Sequence, residues 1–142
     1  MVRGRWLRWG RHGAAGALFV CDTGGTDRYL LARRSGLVLQ SGTWSLPGGA
    51  LRRDEDPLTG ALREATEELG GVPADYELRG THVSRVGSWS YVSHLLRVPA
   101  PFEPIRLNWE STEVRWLTGP QALALPLHPG LRDSWADLTN LE

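Results

Sequence analysis

A chain of 142 residues has the length for one compact domain with a single sheet-and-helix core, and its 41% hydrophobic and 23% charged residues are ordinary for a globular protein. Sixteen basic and sixteen acidic side chains cancel, so no overall positive field exists to hold a nucleic-acid polymer or an anionic membrane, and neither is expected as a partner. Every basic residue is Arg, with no Lys, so any phosphate clamp must be a guanidinium.

Residues 1–13 are basic and carry Trp6 and Trp9. The apolar run 14–20 behind them is short for a signal sequence and ends at Cys21-Asp22, so it reads as a buried strand of a cytoplasmic protein. Cys21 is the lone cysteine, which rules out an internal disulfide. No run reaches membrane-spanning length. The turn-rich segment 22–27 leads to a second strand over 29–32. Residues 44–46 form a brief extended piece that Pro47-Gly48-Gly49 terminates. Over 57–69 the apolar residues Leu58, Leu62, Ala65 and Leu69 are spaced 4, 3 and 4, which predicts an amphipathic helix. Asp56 suits its N-cap, Pro57 its first position, and Gly70-Gly71 its stop. Strands follow over 77–85 and 90–98, then a stiff loop over 99–104 and a short strand over 114–117. Helices over 119–125 and 131–138 close the chain.

Glu64, Glu67 and Glu68 fall at i, i+3 and i+4 and therefore share one face of that helix. Like charges at this spacing repel by about 0.2–0.5 kcal/mol per pair, and they crowd toward the last turn, where the helix dipole disfavours anions. Arg63 reaches Glu67 at i+4, and nothing else on the helix compensates Glu64 or Glu68. Three such oxygen ligands on a rigid scaffold suit a hard divalent cation, Mg²⁺ or Mn²⁺ rather than zinc. The competing reading is a solvated acidic patch. Gly60 and Ala61 lie nearby and leave room for a loop or ligand, and Gly48-Gly49 lets backbone approach closely.

Read together, these residues spell Gly49, five residues, Glu55, seven residues, Arg63-Glu64-Ala65, one residue, Glu67-Glu68, one residue, Gly70. The pattern resembles the Nudix box, Gly-x5-Glu-x7-Arg-Glu-U-x-Glu-Glu-x-Gly-U, where U is a bulky aliphatic residue. All seven fixed positions match. The U positions depart from the pattern, as Ala65 and Gly71, and Arg52-Arg53-Asp54 replaces the more usual acidic-Pro-Gly approach to the first Glu. The resemblance implies an α/β/α sandwich on a mixed, curled β-sheet. It implies metal ligands at Glu64, Glu67, Glu68 and the Gly48 carbonyl, with Glu67 and Glu68 central to catalysis. Glu55 and Arg63 would brace the loop and helix. In MutT-like members a loop Glu six residues before a Trp lies near the attacking water, which points to Glu110 ahead of Trp116, with Glu113 as its competitor. Arg33 and Arg34 resemble the basic pair that contacts phosphate.

The activity so implied is Mg²⁺-dependent hydrolysis, with Mn²⁺ as a substitute, of a diphosphate linkage in a small nucleotide-like substrate, a nucleoside triphosphate first of all. Trp44, Trp89, Trp109 and Trp116 lie near predicted strand ends where one can stack on a base, and Trp44 is the substrate-binding candidate. His12, His82, His94 and His128 show no ligand spacing and read as structural. Signatures of the ADP-ribose, NADH and coenzyme A branches are not apparent. The rival readings are a hydrolase of non-nucleotide diphosphates, a non-catalytic binding module, and an isopentenyl-diphosphate isomerase, for which Cys21 is poorly placed. A monomer or a homodimer is expected.

Overall fold

A run buried on both faces is a central strand, and Ala14–Thr23 is strand β1 of the computed structural model, which describes residues 12–37 and 40–141. Residues 1–11, with Trp6 and Trp9, lie outside the described residues. Along β1, Ala15, Ala17, Phe19 and Cys21 enter one core, while Ala14, Leu18 and Val20 enter the other. That alternation is the period-2 geometry of a strand. The remaining elements are β2 (Thr26–Arg34), β3 (Trp44–Ser45), β4 (Gly48–Ala50), α1 (Pro57–Leu69), β5 (Glu77–Val86), β6 (Trp89–Arg97), β7 (Ser111–Leu117), α2 (Gly119–Leu123) and α3 (Pro129–Thr139).

The sheet runs β3-β2-β1-β6-β5, with β4 paired to β1 and β7 to β2. β1 and β6 are parallel and the other strand pairs antiparallel, so the sheet is mixed. β1 serves several neighbours: Ala14, Ala15 and Gly16 pair with β4, and Val20 to Thr23 pair with β2. Helix α1 packs through Ala61, Ala65 and Leu69 on one face, and α2 and α3 pack through Ala122, Leu131, Trp135 and Leu138 on the other. The α/β/α sandwich expected from the box is the architecture observed. Among the described residues no helix is long and apolar enough to cross a membrane.

Several elements differ instructively from their sequence patterns. Thr23 pairs with Thr26, leaving Gly24 and Gly25 as a two-residue hairpin with φ of +62° and +88°, so β2 starts earlier than its apolar core suggests. The extended piece ends at Ser45, before Pro47, as expected, but Gly48 and Gly49 then open a separate strand, β4, paired with β1, and the Pro47 carbonyl accepts the Ala17 amide at 2.9 Å. A glycine strand carries no side-chain periodicity, so only its hydrogen-bonding partners define it. Helix α1 matches its expected bounds, with the Asp56 carboxylate accepting the Thr59 amide and Gly70 in the left-handed region at φ 78°. Its deepest face is nevertheless rotated toward Gly60, Ala61, Ala65 and Glu68, while Leu58 and Leu62 are half-buried. Small residues let the helix settle close to the sheet, and that rotation turns Glu64 and Glu68 inward.

Candidate metal and diphosphate site

Among the described residues, carboxylate, His or Cys ligand atoms converge in one group: oxygens of Glu64, Glu68 and Glu110 all lie within 4.8 Å of one another. Two come from one helix face and the third from the loop entering β7. Glu68 is 5% exposed. A recess lined by Ala32, Arg34, Ser45, Leu46, Gly48, Glu68, Tyr91, Glu110 and Ser111 lies at this junction. A wider groove of about 490 Å³ at the other end of the sheet carries Asp22, Asp75 and Glu77. Its one basic lining residue, Arg97, donates to Asp27 at 3.1 and 3.2 Å, so that groove repels an anionic substrate.

The helix and the loop before it are locked by Arg63. Its Nε and Nη2 donate to the two Glu55 oxygens, each at 2.9 Å, and Nη2 also donates to the Ala50 carbonyl at 3.1 Å. Nη1 donates to Glu64 at 2.9 Å and to Glu67 at 3.3 Å. Glu64 is therefore compensated by its own neighbour, which the helical-spacing argument did not anticipate. The Arg63 fork holds the Glu55 carboxyl down at a pKa of about 2, aided by the Arg52 amide. Glu67 is directed to Arg63, half-exposed, and lies outside the converging group.

Glycines admit this geometry. A Cβ on Gly49 would stand 2.6 Å from the Glu64 carboxylate, and one on Gly48 would meet the Ala15 carbonyl at 2.4 Å and the Tyr91 hydroxyl at 2.8 Å. The Gly48 amide donates to Glu68 at 3.1 Å. Burial raises the Glu68 pKa well above the carboxylate range, with repulsion from Glu110 adding to it and the Gly48 amide opposing it. Burial also raises Glu64, against the pull of Arg63.

Strand parity sorts the remaining candidates. Successive strand residues face opposite sides, so Arg34 shares the α1 face with Ala32 and lines the recess, while Arg33 pairs with Trp44 and Glu113 on the opposite face and is exposed. Burial lowers the Arg34 pKa, and nearby Glu68, Tyr91 and Glu110 act to raise it. Glu113 accepts from Arg115 at 3.0 Å, away from the carboxylate group. The structure thus brings Arg34 and Glu110 to the cluster and leaves Arg33 and Glu113 elsewhere.

Trp44 is 4% exposed, sits in the core under α2 and α3, and has the Arg115 guanidinium 5.2 Å from its ring centroid. No face of it is open to a base. Trp109, next in sequence to Glu110, is 61% exposed. Sequence reasoning also passed over Asn108 and Tyr91. Asn108 carries a readable signal, an Asn two residues before a candidate Glu, whereas Tyr91 is one aromatic in a buried strand and carries none. The buried histidines are structural: His94 Nδ1 lies 3.1 Å from the Gly16 carbonyl, and His128 Nδ1 accepts the Gly130 amide at the N-cap of α3.

Residues 10–138 match the model of the NUDIX domain. A Mycobacterium tuberculosis protein named "Putative 8-oxo-dGTP diphosphatase 3" is 37% identical over 92% of this chain, and the chain spans 63% of that relative's length. The crystal structure of RenU, a Nudix hydrolase from M. smegmatis, is 38% identical over 94% of this chain and 86% of its own, with a TM-score of 0.85. An Ap4A hydrolase from C. elegans shares the fold at 22% identity, a TM-score of 0.68, and coverage of 91% of this chain and 98% of its own.

Proposed function

We propose, starting from the fact that this chain belongs to the Nudix family, that it hydrolyses a diphosphate linkage in a nucleotide-like substrate, converting a nucleoside triphosphate to the monophosphate and pyrophosphate. The observation that carries this reading is the convergence of Glu64, Glu68 and Glu110 within 4.8 Å. Three converging carboxylates, two of which (Glu64 and Glu68) are disfavoured as anions by burial, form a hard-oxygen donor set that fits Mg²⁺ or Mn²⁺ and not a soft metal. Glu64, Glu68 and Glu110 would hold the cation. When bound, it neutralises diphosphate oxygens and makes a water easier to deprotonate.

The chain's own groups supply the rest. The Arg63 fork, anchored on Glu55 and the Ala50 carbonyl, keeps the loop and helix in register, so that the carboxylates need not reorganise during the reaction. Arg34 is the guanidinium on the correct face to bind two phosphate oxygens. Glu110, from the loop, would accept the proton of the attacking water. As the P–O bond to that water forms, the P–O bond to the departing pyrophosphate breaks. Trp109 offers the exposed ring on which a base can stack. The substrate's size and charge call for no polymer partner.

The test is product analysis with purified protein, Mg²⁺, and a panel of nucleoside triphosphates, oxidised guanine nucleotides and prenyl diphosphates. The name of the M. tuberculosis relative is the reason to include 8-oxo-dGTP. Metal-dependent release of pyrophosphate with a nucleoside monophosphate is the expected result. Cleavage of non-nucleotide diphosphates alone would overturn the nucleotide reading, and silence across the panel would overturn hydrolysis. Trp109→Ala should raise KM for nucleotides about tenfold, the worth of one stacked aromatic; an unchanged KM removes Trp109 from the base site.

A further inference from the structure

The loop carrying Glu110 has no helix or strand to hold it, yet its carboxylate must meet two carboxylates on α1. Its main chain is tied to neighbours on both sides. The Asn108 amide donates to the Glu68 carbonyl at 3.1 Å, and the Ser35 amide at the end of β2 donates to the Glu110 carbonyl at 2.8 Å. Between these ties the Asn108 side chain makes two bonds to one residue. Its Oδ1 accepts the Glu110 amide at 3.0 Å, and its Nδ2 donates to Glu110 Oε1 at 3.4 Å. The first bond sets the backbone turn. The second selects a direction for the carboxylate itself.

We propose that Asn108 is the positioning residue of the site: its carboxamide grips Glu110 at amide and carboxylate together, aiming that carboxylate at Glu64 and Glu68. An Asx turn alone needs only the oxygen. The Nδ2 contact makes the side chain act on Glu110's charged end, as a partner that orients a ligand does for a metal site. Because the bond from Asn108 to Glu68 is made by backbone, substituting the side chain removes the grip and leaves the loop tethered.

The proposal rests on the carboxylate group being a cation site, so the test reads binding as well as turnover. Mn²⁺ would be titrated calorimetrically into the full chain as wild type, Asn108→Ala, Asn108→Ser, Glu110→Gln and the double variant Asn108→Ala/Glu110→Gln. Loss of an orienting partner weakens metal affinity about 10–100-fold, and Asn108→Ala should fall at the lower end of that range. Its kcat should drop while KM is unchanged. Asn108→Ser, which keeps an oxygen for the Glu110 amide and lacks the Nδ2 donor, should also bind Mn²⁺ several-fold more weakly, and it decides the matter if the alanine variant does not fold. The double variant should bind no more weakly than Glu110→Gln alone, because the two losses are one interaction. Wild-type affinity in Asn108→Ala or Asn108→Ser, or losses that multiply in the double variant, would overturn the role of Asn108 and leave the cation site standing. A wild-type protein that binds no Mn²⁺ would overturn both.

Discussion

Burial strips water from the Glu68 carboxylate, and Glu110 and Glu64 are close enough to repel it, so its pKa stands well above the usual value of 4.5. An acid with a raised folded pKa contributes stability below its unfolded pKa and loses it as pH rises through the folded one. At neutral pH the metal-free fold therefore carries a penalty at this position. Glu68→Gln keeps an oxygen for the Gly48 amide and removes the charge. It should lower turnover at least a hundredfold while raising the melting temperature of the metal-free protein, read by steady-state kinetics and thermal denaturation. Full activity would sink the assignment. The Arg33-Arg34 pair makes a second contrast, because parity places only Arg34 at the recess. Arg34→Ala should raise KM about tenfold or more, as loss of a charge-assisted bond does. Arg33→Ala should leave KM within about twofold. Equal effects from the two substitutions would show that the strand face does not decide phosphate binding.

The loop from Gly49 to Asp56 and helix α1 behave as one element because Arg63 joins them. Glu55 is 10% exposed, and its carboxyl is held near pKa 2 against an ordinary 4.5. A depressed carboxylate contributes stability above its unfolded pKa, and that stability is lost as pH falls from 4.5 toward about 2. Glu55→Gln should cost about 2 kcal/mol at neutral pH, since it leaves part of a half-buried fork unpaired. The variant should also lose stability less steeply than wild type below pH 4.5, as denaturant titrations at several pH values would read. An identical acid slope would place the acid sensitivity elsewhere. Locally, this element was the most legible part of the chain: Asp56, Pro57, the apolar spacing and Gly70 mark its bounds within the helix's own sequence. Its rotation was less legible. Leu58 and Leu62 suggest one face, but contact with β1 and β4 requires the small residues Gly60, Ala61 and Ala65 to lead.

Across the whole molecule, acid stability combines groups with distant origins. His128 is fully buried at the start of α3, and burial together with nearby Arg34 lowers its pKa from 6.5 to about 4. A base with a depressed pKa stabilises the fold above 6.5, and that contribution is lost as pH falls through about 4. The loss amounts to about 3 kcal/mol at full linkage. His128→Asn, which retains an acceptor at the N-cap, should flatten the stability curve between pH 6.5 and 4 relative to wild type. An unchanged difference between the two proteins across that window would show that His128 protonates freely in the folded state.

The sequence by itself determined the box helix, its caps, the spacing of four glutamates and an arginine, and the central strand. All of these depend on interactions within a few residues or on burial of a continuous apolar run. Only the tertiary structure decided which face each remaining candidate takes. Whether Arg33 or Arg34 faces the carboxylates depends on strand register, and a register shift sits between them, while Glu110 reaches the cluster from a loop tied to the Glu68 carbonyl and the Ser35 amide. The glycine strand β4 likewise exists because β1 supplies its hydrogen bonds. A one-residue slip reverses every side chain in a strand, and local sequence does not record which neighbour prevents it.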